Sequence, residues 1–442
     1  MSRYDTQDII YALATPWARS GLAVIRISGA GCKEALAPYF SRPAALLGAP
    51  NATMVHGSLI DEAAARIDEV VLAINTDGHG YTAEEAIEIS CHGSLAVIQA
   101  ILALLGRIGM RSAEAGEFTF RAFLHGRVDL TQAEAVEELV SSVSQRSRSL
   151  SLSRLEGKLR QRIDMLKDTL LTILAAVEVQ LDYAEDELDE FVFPTQALTD
   201  LIASIGSLAD TYQIGRLYKR GAKVVLAGST NVGKSSLFNL LLKEERSIVS
   251  PYRGTTRDYI EADLEVGGIP IRLYDTAGLR ESEDLVEQEG VVRSERLIGQ
   301  ADLVIHLVDS TDLGHIPEED GRTIVVYNKS DLARIGGDKL AISAQSGEGV
   351  ARLLEVVEAY LKRSIPEGGD EELVIEGERQ WRLLGGAKGA LLRALHLVQA
   401  DAVLDVVAVE LGEALSNLGE LTGEVRSDDI LERIFSGFCV GK

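Results

Sequence analysis

The sequence predicts a mixed α/β and α chain: an α/β nucleotide domain inserted into a helical domain and preceded by a smaller α+β domain. Three observations carry this. Residues Gly228 to Ser235 read Gly-Ser-Thr-Asn-Val-Gly-Lys-Ser, a G-x-x-x-x-G-K-S phosphate loop set between an apolar β-branched run and a helical one. Short β-branched runs alternate with helical ones up to about residue 120, whereas from Asp129 apolar residues recur at helical spacing. The chain has 442 residues, a nucleotide domain of this kind needs roughly 150–170, and length predicts about three domains. The expected boundaries are 1–122, 123–218, 219–366 and 367–442, the second and last being two parts of the helical domain.

In the N-terminal part Leu22–Ile27, Val70–Ile74 and Ala86–Ser90 read as strands, and Ser94–Ile108 as a mostly apolar helix. Thr131-Gln-Ala-Glu134 reads as a capping box, after which Leu150, Leu155, Ile163, Leu170, Ile173 and Leu181 keep helical spacing until a break near Pro194. In the nucleotide domain Lys223–Ala227, Ile269–Tyr274 and Thr323–Tyr327 read as strands, Ser236–Leu242 as a helix, and Ser364–Asp370 as the exit linker. The segment after it is again helical, and pairing with the helices before residue 220 buries more core than folding alone.

The chemistry follows the order of the motifs. Gly228 and Gly233 let the loop turn its N–H groups toward phosphates, Lys234 reaches the β and γ oxygens, and the Ser235 hydroxyl suits Mg²⁺. Asn231, Val232 and Ser236 complete that cradle. Asp275-Thr276-Ala277-Gly278 puts a carboxylate at a strand end on the metal side. In Asn328-Lys329-Ser330-Asp331 the Asp accepts from the N1–H and exocyclic amine that guanine has and adenine lacks, which selects GTP over ATP. Ser343, Ala344 and Gln345 match the weaker signature near the base.

Between phosphate loop and Asp275 lies the expected first switch, Gly254-Thr255-Thr256-Arg257-Asp258, with Thr256 the second Mg²⁺ ligand, and Ser250, Pro251, Tyr252, Arg253, Gly254, Thr255 and Thr256 are expected to contact GTP. Ras-like enzymes orient the attacking water with a Gln after the Asp-x-x-Gly motif, but here Leu279 stands there, so another group must do it. Four Glu in Arg280–Glu289 are candidates, and the positive charge of an arginine finger must come from Arg257, Arg280, a bound cation or a partner.

Composition bounds the partners. There are 68 acidic against 44 basic residues, a net charge of −24, so a bare nucleic-acid backbone is expected to be met locally or through a basic partner. Cys32, Cys91 and Cys439 form no C-x-x-C pair, which argues against zinc, iron–sulfur or a disulfide framework. With no run of 18 apolar residues and no signal-peptide core, a cytoplasmic protein without a membrane is expected. Cys91-His92 suggests a nucleophile–base pair, but no third member is visible and packing is the expected role.

Beyond these readings the chain resembles, over its whole length, the tRNA-modification GTPases known as MnmE or TrmE. The likeness rests on Ala12–Pro16 with Val24–Gly29, Gly116-Glu-Phe-Thr-Phe-Arg-Ala-Phe123 with Asp129-Leu and Ala133–Val136, Gly254–Asp258, Asp275–Glu281 and the C-terminal Phe438-Cys-Val-Gly-Lys442. It implies a homodimer formed through an N-terminal folate-binding domain, with a Ras-like GTPase domain inserted in the helical domain. It further implies an FAD-dependent partner, MnmG, in a heterotetramer or larger complex. That complex would attach an aminomethyl-type group, carboxymethylaminomethyl, to C5 of the wobble uridine of certain tRNAs, using 5,10-methylene- or 5-formyl-tetrahydrofolate.

By the same resemblance Arg26, Glu88, Arg127 and Lys442 contact folate; the family usually has Asn-x-Lys where this chain has His125-Gly-Arg127. K⁺ is implied on Asn231, Ser250, Tyr252 and Thr255, with Glu287 orienting water and Arg280 nearby as catalytic residues. Thr230 stands where a Pro is usual. The rival reading is a ribosome-assembly GTPase of the Era or Der kind. That would need a basic RNA surface or a KH-like loop after the nucleotide domain, where this chain carries Asp370-Glu-Glu372 and a helical tail.

Overall fold

The computed structural model describes residues 7–142, 144–182, 192–244, 260–276, 295–313, 316–317, 320–363, 373–425, 431, 434–438 and 440–441. It divides into two compact units, one of Met1–Glu137, Arg154–Lys167 and Ser416–Lys442, the other of Glu138–Ser153 and Asp168–Leu415.

The first unit holds a six-stranded sheet of β1 (Ile10–Leu13), β2 (Leu22–Ser28), β3 (Thr53–Ile60), β4 (Arg66–Asn75), β5 (Ala86–His92) and β6 (Arg111–Ser112), in the order β3-β4-β5-β2-β1-β6. Only the β1–β6 pair is parallel. The period of two places Ala23, Ile25 and Ile27 in the core and leaves Arg26 on the opposite face. The Leu95–Arg107 helix covers the apolar face with Ile98, Ile101 and Leu105, which recur at helical spacing.

The other face meets the Glu117–Leu124 helix, and a charge network is buried there. Arg121, fully buried, donates to Glu117 Oε1 at 3.1 Å, Asp8 Oδ1 at 2.6 Å and Glu84 Oε1 at 3.3 Å. Arg111 reaches Glu117 and Asp8 at 2.5 Å each, and Ser28 Oγ donates to Glu84 at 2.7 Å. Burial of this many charges is tolerable only because each meets a partner. Behind the same helix Phe120 and Phe123 pack on Phe435, which also meets Phe438 at 5.4 Å, and Ala115 bridges to Val440. Gly116 takes φ 72, and a Cβ there would overlap the Phe435 carbonyl, so only glycine admits this approach.

The helix after Asp129 is Leu130–Ser141, and its cap corrects the sequence expectation. The box is Asp129–Gln132, not Thr131–Glu134: Asp129 Oδ1 accepts from Gln132 N at 3.0 Å, and Gln132 Oε1 from Asp129 N at 3.0 Å. Both tetrads fit the pattern, and the earlier one wins because Thr131 is buried with its hydroxyl on Asp129. Helices Gln145–Leu155, Lys158–Asp182 and Thr195–Asp210 follow, with Pro194 as the N-cap of the last.

The second unit contains a five-stranded sheet of β7 (Ala222–Gly228), β8 (Ile260–Val266), β9 (Ile269–Asp275), β10 (Leu303–Asp309) and β11 (Thr323–Asn328), ordered β11-β10-β7-β9-β8. All neighbours are parallel except β8–β9. Its strands are near-continuous apolar runs because helices, among them Lys234–Glu244 and Val350–Lys362, bury it. The Thr195–Asp210 and Tyr212–Arg220 helices lie in this unit with Glu378–Gln399, where Tyr212 stacks on Trp381 at 5.1 Å. Among the described residues no helix is long and apolar enough to cross a membrane.

Replacing Arg121 by Met keeps the stem but takes the buried cation from Glu84 and leaves Glu117 and Asp8 to share Arg111 alone. We expect a loss of about 3–5 kcal/mol in denaturant unfolding of the N-terminal unit; a loss below about 1 kcal/mol would show the network to be ornamental.

Candidate active site

The sheet of the second unit fixes where a ligand binds. From β7 the chain runs to β8 and β9 on one side, then to β10 and β11 on the other, so the strand order reverses at the carboxyl end of β7. Open parallel sheets bind ligands at that crevice. Four strand ends meet there: Gly228, Asp275, Asp309 and Asn328.

The phosphate loop is shaped by its backbone. Gly228 (φ 135) and Gly233 (φ 100) adopt conformations that side chains disfavour, and a Cβ on either would overlap Leu307 O or Asn328 Nδ2. Asn231 is also left-handed, at φ 59, which its short amide tolerates better than most. The buried Lys234 donates from Nζ to the carbonyls of Gly228 (2.9 Å) and Ser229 (2.7 Å), its ammonium inside the loop. Ser235 Oγ donates to Asp275 Oδ2 at 2.7 Å, which brings together a hydroxyl and a carboxylate, the hard oxygen donors Mg²⁺ prefers. Thr276 Oγ1 donates to Leu226 O at 2.8 Å and fixes the chain just after Asp275. Val232 is buried and Ser236 exposed.

Asn328 joins the two halves of the site. Its Nδ2 donates to Val232 O at 2.7 Å, and its Oδ1 accepts from Ala344 N at 2.9 Å. Ser343 is fully buried and Gln345 exposed, and Ser330 N donates to Ile342 O at 3.0 Å, so both base-side segments are tied to each other. Asp331 is exposed, and Lys329, at φ 65, extends to Asp309 Oδ2 at 2.5 Å. Asp309 was not singled out in the sequence, although an acidic residue closing an apolar run beside the phosphate loop is a readable signal. Ser250, Pro251, Tyr252, Arg253, Gly254, Thr255, Thr256, Ala277, Gly278, Arg280, Glu287 and Lys442 lie outside the described residues.

In the first unit Arg26 and Glu88 are cross-strand partners on β2 and β5, with Arg26 Nε donating to Glu88 Oε1 at 2.9 Å. The guanidinium also donates to Gly441 O at 3.2 Å and lies 5.4 Å from the Tyr81 ring centroid and 5.7 Å from that of Phe118. Arg127 is exposed on the turn after the Glu117–Leu124 helix, where His125 Nδ1 bonds Thr82 O at 2.8 Å. Cys91 and His92 point to opposite faces of β5. The buried thiol is pushed up to about 11 by burial, while His92 meets Asp68 at 2.8 Å, an acidic partner invisible in the sequence. This separation removes the nucleophile–base pair.

A phosphate loop at a switch point, with a hydroxyl and carboxylate converging and a tethered Asn-Lys-x-Asp segment beside it, defines a phosphate-loop GTPase. A family model described as the MnmE helical domain matches residues 130–439, and one described as the GTP-binding protein TrmE N-terminus matches residues 9–127. The tRNA modification GTPase MnmE of Borrelia recurrentis is 40% identical over 100% of both chains, that of Treponema denticola 39% over 100% of both, and that of Carboxydothermus hydrogenoformans 38% over 99% of this chain and 100% of its own. The chain therefore belongs to the MnmE family of tRNA modification GTPases and is a hydrolase acting on GTP.

Replacing Asn328 by Ala leaves the Val232 carbonyl and the Ala344 amide without their partner, at about 1–3 kcal/mol for each buried group. We expect GDP affinity, read by fluorescent-nucleotide titration, to fall at least about tenfold; unchanged affinity would mean that the loops hold their shape without it.

Proposed function

We propose that this GTPase drives modification of tRNA, attaching an aminomethyl-type group (carboxymethylaminomethyl) to C5 of the wobble uridine of certain tRNAs with a tetrahydrofolate one-carbon unit. In this reading it is a cytoplasmic homodimer that works with the FAD-dependent MnmG and meets tRNA through that complex. The observation that carries it is family membership over the whole chain at about 40% identity. A net charge of −24 favours reaching tRNA through a partner rather than alone. The domain division follows the same reading, with 1–122 for folate and dimerisation, 219–366 for GTP, and 123–218 with 367–442 as the helical domain.

In the nucleotide domain Ser235 and Thr256 would hold Mg²⁺, the first through the hydroxyl that now meets Asp275. Asn231, Ser250, Tyr252 and Thr255 would hold K⁺, which when bound supplies the positive charge an arginine finger gives elsewhere. Glu287 would orient water, with Arg280 beside it, because Leu279 occupies the glutamine slot.

In the N-terminal domain Arg26, Glu88, Arg127 and Lys442 would hold folate. The donor set fits: a guanidinium recognises a carboxylate tail, and a glutamate accepts from pterin N–H groups. Arg26 and Glu88 now satisfy each other, so the ligand must exchange that pair for its own.

Two measurements test these assignments. Steady-state GTP hydrolysis in KCl should exceed that in NaCl of equal ionic strength by tens-fold, and equal rates would remove K⁺ from the site. Formyl-tetrahydrofolate should change the fluorescence of Trp17, which is 53% exposed, and Arg26→Gln should weaken that binding about tenfold or more without changing GTP hydrolysis. A titration with no signal in the wild type would dismiss the folate assignment.

A further inference from the structure

β10 closes on Asp309, which lies in register with Asn328, while two residues earlier Leu307 is in register with Gly228. A carboxylate is thus built between the phosphate loop and the base-side segment, and its two oxygens are divided. Oδ1 accepts from Thr311 N at 2.9 Å and Thr311 Oγ1 at 2.6 Å, closing the turn after the strand. Oδ2 accepts from Lys329 Nζ at 2.5 Å, and Ser310 N donates to Asn328 O at 2.9 Å.

Lys329 is held at both ends. Its backbone stays left-handed at φ 65, a conformation costing a residue with a Cβ on the order of 1 kcal/mol. The Lys329 carbonyl accepts from Leu332 N at 3.0 Å and Ala333 N at 3.2 Å, which keeps it there. The backbone fixes where the side chain leaves, and Asp309 fixes where the ammonium ends. A free lysine carries about 2 kcal/mol of rotamer entropy that a ligand packing on it would have to freeze.

We propose that Asp309 is a positioning residue for guanine-nucleotide binding: it anchors the Lys329 ammonium so that the lysine stem stands as a preset apolar wall beside Asp331. The inference rests on the guanine-nucleotide reading of Asn328–Asp331. The anchor persists across the working pH range, because the hydrogen bonds from Lys329 and Thr311 hold the carboxyl down to about 2. Asp309 acts on nucleotide affinity and not on the hydrolytic step, since its partners lie on the base side.

The test is a double-mutant cycle on the full chain, with the affinity for methylanthraniloyl-GDP and kcat for GTP as readouts. Asp309→Asn should weaken the nucleotide about tenfold with kcat at saturating GTP within about twofold. Asp309→Glu should recover part of the affinity. Lys329→Met keeps the stem without the charge, and Asp309→Asn added to it should cost little more. Additive losses, an Asp309→Asn affinity within about twofold of wild type, or a fall in kcat alone would each overturn the proposal. Should Asp309→Asn not fold, Lys329→Met decides, since unchanged GDP affinity there would also overturn it. A wild-type protein that binds no GDP would refute the guanine-nucleotide reading itself.

Discussion

The amide of Asn328 is the contact on which the nucleotide site depends. Three segments that are distant in sequence meet at one side chain: the phosphate loop through the Val232 carbonyl, strand β11 by its own backbone, and the 343–345 loop through the Ala344 amide. Its packing also explains why position 233 must be glycine, since a Cβ there would occupy the place of the Asn328 amide nitrogen. Phosphate recognition and base recognition are therefore one rigid object. Binding energy gained on guanine is available to hold the phosphates, which is how a nucleotidase spends remote contacts on its reacting end.

Much of this was legible because the motifs are local. The spacing from Gly228 to Ser235 dictates its loop, and Asp275 and Asn328 each close an apolar run, so their placement at strand ends follows from pattern alone. Strands β1, β3 and β6 were not readable. Ile10–Leu13 and Arg111–Ser112 are too short for a period to show, and Thr53–Ile60 mixes Thr, His, Gly and Ser with its apolar residues. Long-range partners were hidden for a different reason. Nothing near His92 announces Asp68, and nothing near Lys329 announces Asp309, because sheet register creates those pairs. The capping box moved by two residues because two tetrads satisfied the same rule and burial of Thr131 chose between them.

The two units manage charge in opposite ways. In the N-terminal unit Arg121, Glu117, Asp8, Glu84 and Arg111 form a network centred on the fully buried Arg121 and Glu117, in which Asp8 and Glu117 are each shared by both arginines. In the nucleotide site the charges are held by partners that a ligand can replace: Lys234 by loop carbonyls and Asp275 by the Ser235 hydroxyl. Fixed pairs define the scaffold and exchangeable pairs define the site. The Arg26 guanidinium, which meets Glu88 and the Gly441 carbonyl, is partly exposed.

The bond from Arg26 to the Gly441 carbonyl spans 415 positions, and the aromatic seat of Phe435 and Phe438 against Phe120 and Phe123 joins similarly distant parts. During synthesis the β2–β5 pair that carries Arg26 and Glu88 is made early, and the whole nucleotide domain is translated before its last neighbour exists. A polypeptide released between residues 363 and 435 has every strand of the GTPase sheet but lacks the C-terminal partners of Arg26, Phe120 and Phe123. The N-terminal unit is therefore completed only after the nucleotide domain has been made, the reverse of the order in which the two begin.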